Sequence, residues 1–284
     1  MNSDGKITIV PTPIGNLGDI TLRALETLRA SDLVCAEDTR ITAKLLAAYD
    51  ISKPLMRLDE NSLSKRALDV IARAAQGANI AYCSDAGMPG VSDPGLRLVR
   101  AAREAGVSVE VLPGASAALV AYVASATVCP RFYFGGFFPR KENERQRTLE
   151  NLRTLDAALI FYESPNRLVS ALTSIARTMP TRRMAVCREL TKLHEEIVCA
   201  TAEQACNIFA KREAASSIKG EIVLVIDPPD ESENKPSAAD LEQRASELIS
   251  QGARTKEAAK CLATEFGISK NTAYDLVMKA ANSK

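Results

Sequence analysis

Ser84-Asp85-Ala86-Gly87-Met88-Pro89-Gly90-Val91-Ser92-Asp93-Pro94-Gly95 decides how this chain is read. The run follows a strand-like stretch, Asn79-Ile80-Ala81-Tyr82-Cys83, and precedes a helical one over 96–105. Three glycines, two prolines and two aspartates therefore sit at a strand's carboxyl end. Open α/β sheets place their ligands there, in the crevice beyond the strand tips. Glycine permits positive φ and close backbone approach, and proline stiffens the turn. An ordinary strand-to-helix connection needs about 2–6 residues. This one is longer and chemically specialised, so it reads as a binding loop rather than a plain turn.

Outward from that loop, residues 6–114 alternate short apolar runs with amphipathic helices. The spacing predicts strands over 7–10, 33–36, 80–82 and 109–112, and helices over 21–30, 42–49, 62–76 and 96–105. Ala67, Val70, Ile71 and Ala74 share one helical face. Such alternation predicts a parallel sheet with helices on both faces. A second α/β unit is expected over 115–227. Its helices are predicted at 117–126, 141–155, 167–177 and 202–211, and its strands at 158–162, 184–187, 195–199 and 221–226, with an aromatic run over 132–138. Strands cluster towards one end, so this sheet is expected to be mixed. Residues 228–237, rich in proline and charge, read as a linker to an all-helical module over 238–284.

The 284 residues exceed one comfortable core, consistent with two units and an appendage. Apolar residues are 46% and charged residues 25%, ordinary for a globular protein. A net charge of +1 gives no global footprint for nucleic acid, so any such surface must be local. The seven cysteines are scattered without a CxxC pair and read as buried reduced thiols. The single histidine, His194, has no ligand cluster around it, so no metal is expected. Met1 to Lys6 lack the apolar core of a signal peptide, and the apolar runs stop short of a membrane span. A cytoplasmic location is the resulting expectation.

Four loops are expected to converge: 11–19, 84–95, 113–117 and 162–165. Small residues and free backbone amides at a helix amino terminus suit a ligand gripped by main chain. Their combination carries a resemblance. Thr12-Pro13-Ile14-Gly15-Asn16-Leu17-Gly18-Asp19-Ile20-Thr21, Glu37-Asp38-Thr39-Arg40, Ser84 to Pro89, Pro113-Gly114-Ala115-Ser116 and Phe161-Tyr162-Glu163-Ser164-Pro165 occur in this order. Arg188-Glu189-Leu190-Thr191-Lys192 and Lys219-Gly220-Glu221 complete the set. From about residue 7 to 226 the chain resembles the tetrapyrrole methylase superfamily, in its ribosomal RNA branch.

The resemblance implies a class III methyltransferase fold of two α/β domains with S-adenosylmethionine in the cleft between them. It places cofactor contacts on Pro13, Gly15, Asp85, Gly87, Met88, Ser116, Ala117, Tyr162 and Cys187. Ser84-Asp85-Ala86-Gly87 stands where many tetrapyrrole enzymes have Gly-Asp-Pro, a departure that fits the ribosomal RNA branch and bears on the backbone contacts around Ala86 to Met88. The implied reaction is 2′-O-methylation of the ribose of a decoding-centre cytidine in 16S ribosomal RNA, by a homodimer. Aligning oxygen, methyl and sulfur supplies much of the rate, and a poor hydroxyl nucleophile calls for a nearby base or cation. Glu37, Asp38, Arg40, Glu163 and Lys192 are the catalytic candidates. Asp38 and Thr39 equally describe a helix cap with a local ion pair. His194 reads as a surface imidazole beside Glu195 and Glu196 rather than as a base. Which group deprotonates the hydroxyl is left open.

Contacts to RNA are expected from Arg140, Lys141, Arg145, Arg167 and Arg188, clusters able to neutralise phosphates without reading sequence. The tail matches a helix-turn-helix spacing, with Gly267 turning, Ser269 capping, and Ala263, Ile268, Ala273 and Leu276 packing. It reads as an RNA- or ribosome-docking module or as a dimer-packing one. Two rival functions fit part of these features: C-methylation of a tetrapyrrole precursor, and cofactor sensing by a helix-turn-helix regulator.

Overall fold

β1 (Lys6–Ile9), β2 (Leu33–Ala36), β3 (Leu55–Arg57), β4 (Asn79–Cys83) and β5 (Ser108–Val111) form one parallel sheet, ordered β3-β2-β4-β1-β5. The computed structural model from which this is read describes residues 5–230 and 238–282. Helices α1 (Leu22–Ala30), α2 (Thr39–Ala48), α3 (Glu60–Ala75) and α4 (Gly95–Glu104) alternate with these strands. The pleat sends successive side chains to opposite faces. Ile7, Ile9, Ile80 and Tyr82 pack against Val70, Ile71 and Ala74 of α3 and Leu98 and Ala102 of α4. Val34, Ala81 and Cys83 meet Ala24, Leu25 and Leu28 of α1 and Leu46 of α2 on the other face. Both faces are thus apolar, as the unbroken apolar strands predicted.

Caps set two helix starts earlier than the spacing predicted. Asp38 accepts the Arg40 N–H at 2.9 Å, so α2 begins at Thr39. Asp59 and Ser62 cap each other's backbone at 2.8 and 3.0 Å, so α3 begins at Glu60. Strand β3 was not expected. Its three residues are too short to show a period.

The second sheet is mixed. β6 (Phe132–Phe137), β7 (Ala158–Glu163), β8 (Arg183–Arg188), β9 (Glu196–Thr201) and β10 (Ile222–Ile226) are ordered β6-β7-β10-β8-β9. Only β6 and β7 run parallel; the other pairs are antiparallel. α6 (Glu142–Leu152), α7 (Leu168–Thr178) and α8 (Ala202–Ala215) bury Leu159, Phe161, Val186 and Leu224 on one face. α5 (Ala117–Ala124) covers Ile160, Ala185, Cys187 and Val223 on the other. Each of the larger of these side chains, the leucines, isoleucine, valines and phenylalanine, contributes about 1.5–3 kcal/mol.

Gly135 sits in the β6 bulge with no room for a side chain, since a Cβ would come within 2.7 Å of Phe161 Cδ1. Phe161 is fully buried and cannot swing away. Gly135→Ala is expected to lose about 1–3 kcal/mol by overpacking, read as a lower urea midpoint. An unchanged midpoint would mean that the bulge relaxes at no cost.

Both sheets belong to one compact unit, Met1–Pro228, and Pro229–Lys284 form another. Residues 231–237 of the expected linker lie outside the described residues. The second unit holds α9 (Ala238–Ser250), α10 (Thr255–Phe266) and α11 (Lys270–Asn282) around Leu241, Leu248, Leu262 and Val277. Gly267 adopts φ 63° between α10 and α11, and Ser269 Oγ accepts the Thr272 N–H at 3.0 Å. Ala263, Ile268, Ala273 and Leu276 all join this small core. Among the described residues, no helix is long and apolar enough to cross a membrane.

Four of the cysteines, Cys35, Cys83, Cys129 and Cys187, are buried, and burial pushes the Cys35, Cys83 and Cys187 thiols up to about 12. Cys199, on the edge strand β9, and Cys261 are exposed, against the expectation of buried thiols.

Candidate active site

β1 and β4 are neighbours, so the loops that leave their carboxyl ends lie side by side. Thr12 and Gly87 pair there, each N–H donating to the other's carbonyl at 3.0 Å. The pairing needs Gly87 at φ 74°, with Ile14 Cγ2 only 3.1 Å from where a Cβ would stand. Asp93 Oδ1 accepts the N–H groups of Gly90 and Gly95 at 2.7 and 2.8 Å, folding the loop back on itself. Asp85 Oδ1 accepts the Asp38 N–H at 2.9 Å, tying the end of β4 to the end of β2. The aspartates of the loop are thus shape-determining.

A cavity of about 460 Å³ opens beside this loop, between the strand ends of the two sheets. Ile14, Asp85, Gly87, Met88 and Asp93 line it from the first sheet, and Ser116, Ala117, Tyr162, Leu190 and Val223 from the second. Its volume falls in the range of about 300–1,000 Å³ typical of small-molecule sites. Five carboxylates line it, Glu37, Asp85, Asp93, Glu163 and Glu221, and among the described lining residues there is no lysine, arginine or histidine. Such a wall attracts a cation and repels phosphate. Among the described residues no His, Cys, Asp and Glu side chains cluster as a metal site requires.

Two of these carboxyls stand above the ordinary range. Desolvation raises Glu37, and the charges of Asp85 and Asp93 raise it further. Burial raises Glu163, opposed by the Ser164 N–H and the Arg167 guanidinium. Glu163 is 3% exposed; its Oε1 takes both hydrogen bonds, and its Oε2 is buried with no hydrogen-bond partner among the described residues. Tyr162 packs edge to face with Phe134 and Phe137, ring centroids 5.0 and 5.6 Å away, which fixes that wall.

Of the expected cofactor contacts, Asp85, Gly87, Met88, Ser116, Ala117 and Tyr162 are gathered on this cavity. Pro13 and Gly15 line a neighbouring cavity of about 440 Å³ with Lys44, and Ser84 and Asp85 border both. Cys187 is fully buried under α5, its thiol directed at the Ala121 carbonyl, and lines neither.

Of the catalytic candidates, Glu37 and Glu163 reach the cavity. Asp38 and Arg40 instead form an exposed local pair, 2.5 Å apart, at the start of α2. The Arg40 guanidinium holds Asp38 well below the usual carboxylate range. Lys192 lies between Glu189 and Glu221 at 2.9 and 2.8 Å, which keeps it protonated: burial lowers its affinity for the proton, and the two carboxylates outweigh that.

The basic residues divide in the same way. Arg140 and Lys141 are exposed. Arg145, expected on RNA, is 7% exposed and donates to Ser170 Oγ at 2.9 Å. Arg167 is spent on Glu163 at 2.5 Å, and Arg188 on Glu196 at 2.5 Å and the Lys219 carbonyl at 2.9 Å. Arg145 thus joins α6 to α7, Arg167 holds the end of β7, and Arg188 ties β8 to β9. His194 is exposed and outside the cavity lining.

Asp93, Phe137, Leu190, Glu221 and Val223 line the cavity without having been singled out. Asp93 and Glu221 stand inside motifs already quoted. Leu190 stands in the Arg188–Lys192 motif and Phe137 in the aromatic run, whereas Val223 carries no local signal, since the antiparallel β8–β10 pairing brings it there.

Comparison with known proteins agrees with this geometry. The sequence model of the Tetrapyrrole (Corrin/Porphyrin) Methylases matches residues 6–206. The Ribosomal RNA small subunit methyltransferase I of Halalkalibacterium halodurans is 40% identical over 277 residues, 96% of this chain and 94% of that one. The protein of the same name from Haemophilus influenzae is 41% identical over 271 residues, 95% of each chain. Among solved structures, a diphthine synthase superposes with TM-score 0.62 at 17% identity, covering 78% of this chain and 89% of that one. A uroporphyrin-III-C-methyltransferase from Thermus thermophilus does so with TM-score 0.56 at 19% identity, covering 78% and 94%. These distant structures share the fold. By the family match and the near full-length relatives alike, this chain belongs to the tetrapyrrole methylases and, within them, to the ribosomal RNA small subunit methyltransferase I family.

Proposed function

We propose that the chain transfers a methyl group from S-adenosylmethionine to the ribose 2′-oxygen of a decoding-centre cytidine, position 1402, in 16S ribosomal RNA. The observation that carries the reading is the acidic, cation-free cavity at the strand ends, in a chain of this family. The lining fits the cofactor on two counts. Its carboxylates complement the positive sulfonium and ammonium, and Ile14, Met88, Leu190 and Val223 offer apolar walls to the remainder. When bound, the cofactor supplies an electrophilic methyl group.

Each part of the chain then has a task. Asp85, Gly87, Met88, Ser116, Ala117 and Tyr162 are the proposed binding wall, and the Thr12–Gly87 pairing holds that wall in register. Glu37 is the proposed base: it alone of the candidates reaches the cavity, has a raised pKa, and is not tied up by a basic partner. A carboxylate titrating nearer neutrality is better matched to taking a proton from a hydroxyl. Glu163 is the proposed fixed acceptor in the wall, steadied by Arg167. Phosphates are excluded from the acidic cavity, so RNA is expected along exposed Arg140 and Lys141 instead.

A second copy of the chain is the proposed cover for the outer side of α5, where Leu119 and Val123 stand exposed. The enzyme is proposed to work in the cytoplasm, on ribosomal RNA or small subunits.

Transfer of labelled methyl groups tests the activity. Small subunits or protein-free 16S RNA are expected to take up label. Transfer to uroporphyrinogen instead, or to no RNA form while the cofactor binds, would overturn the reading.

A further inference from the structure

Lys192 touches one residue of each cavity. Its stem lies over Gly15, in the glycine loop of the first sheet, so closely that a Cβ on Gly15 would come within 2.9 Å of Lys192 Cε. Its ammonium donates to Glu189 Oε1 at 2.9 Å and to Glu221 Oε2 at 2.8 Å. Gly15 lines the cavity beside Lys44, and Glu221 lines the acidic cavity.

The turn that carries Lys192 is built for this reach. Glu189 and Thr191, neither a glycine, adopt φ 49° and 65°. Such conformations persist only where the surroundings over-determine them, and they concentrate at functional sites. Glu189 Oε1 also accepts the Glu221 N–H at 2.9 Å, and Glu195 Oε2 accepts the Thr191 N–H at 2.6 Å. Gly220, at φ 98°, leaves room for Glu189, whose Cδ would be 2.7 Å from a Cβ there. Glu221 itself is three-quarters exposed, so Lys192 is what restrains its carboxylate. Two acidic groups around one ammonium leave the cluster net negative, and the cavity keeps its preference for a cation.

We propose that Lys192 is a positioning residue, a clasp that holds the Gly15 loop of the first sheet to the Glu189–Glu221 edge of the second and fixes the Glu221 carboxylate in the cofactor wall. It acts on capture of S-adenosylmethionine and not on the methyl-transfer step. The clasp rests on the reading of the acidic cavity as the cofactor site. Lys192 lines neither cavity, and its charge is held by two carboxylates, so its part is to position rather than to take or give a proton.

The test combines calorimetric titration of the full chain with S-adenosylmethionine, steady-state kinetics and thermal melting, for wild type, Lys192→Met, Glu221→Gln and Gly15→Ala. Lys192→Met keeps the stem and removes the charge. It is expected to raise the cofactor Kd and KM about 10-fold or more, the usual scale for a charge-assisted pair, with kcat within about threefold. Gly15→Ala, which pushes the stem aside while Lys192 is intact, is expected to weaken binding in the same way. Glu221→Gln combined with Lys192→Met is expected to add little to either alone. A fall in kcat at saturating cofactor with unchanged Kd would overturn the clasp in favour of a chemical role, and unchanged Kd in both Lys192→Met and Gly15→Ala would overturn it outright. Wild type that fails to bind S-adenosylmethionine overturns the cofactor reading and the clasp together, whereas wild type that binds no better than Lys192→Met overturns the clasp alone.

Discussion

Glu37→Gln is expected to slow methyl transfer about 10²–10⁴-fold, the range general bases contribute, while S-adenosylmethionine still binds. Glutamine keeps the length and polarity of the side chain at the end of β2 and loses its charge and its ability to take a proton. The pH profile carries the second half of the expectation. Burial and the neighbouring Asp85 and Asp93 lift the Glu37 carboxyl above its ordinary value, so wild-type activity is low in acid. Activity rises with pH through that raised value and then levels off. Glu37→Gln removes this limb. The sign for stability is opposite: a carboxyl raised by folding contributes stability below its unfolded pKa and loses it as pH rises through the folded one. A Glu37→Gln enzyme that retains full speed and the wild-type acid limb would show that another group, or none, takes the proton.

Asp85→Ala is expected to weaken S-adenosylmethionine binding about 10–100-fold. Asp85 borders both cavities and receives the Asp38 N–H from the end of β2. A hydrogen bond to a charged group is worth about 1.5–3 kcal/mol, and the substitution also removes one of the five carboxylates facing the cationic ligand. Asp85→Asn, which retains an oxygen to accept that N–H, is expected to recover the loop and only part of the affinity. Titration calorimetry separates the two contributions. Equal affinity in all three proteins would remove Asp85 from the binding wall.

The loop over 84–95 was legible because its information is local. Glycine at positive φ, proline, and an aspartate that folds back on nearby amides need no distant partner, as Gly90 and Asp93 illustrate. The same holds for Ser269 and Gly267 in the helical tail. Arg145 and Arg182 mark where local reading stops. Both belong to basic runs, yet each is nearly buried, with carbonyls or a hydroxyl from other elements taking up the guanidinium. Whether an arginine faces phosphate or props a sheet depends on partners far away in the chain. Lys192 is the intermediate case. Its motif stood out, but its partner Glu221 lies 29 residues on, brought close by the β8–β10 pairing. A strand register, not a motif, gives Lys192 the partners on which the proposed clasp rests.

The position of the transferred methyl group tests the central claim most directly. Small ribosomal subunits lacking the modification, incubated with the wild-type chain and labelled S-adenosylmethionine, are expected to carry label on a single decoding-centre cytidine. Alkaline hydrolysis should leave the phosphodiester after that nucleotide intact, because a methylated 2′-oxygen cannot attack it. Label on the base, with that bond cleaved normally, would contradict ribose methylation.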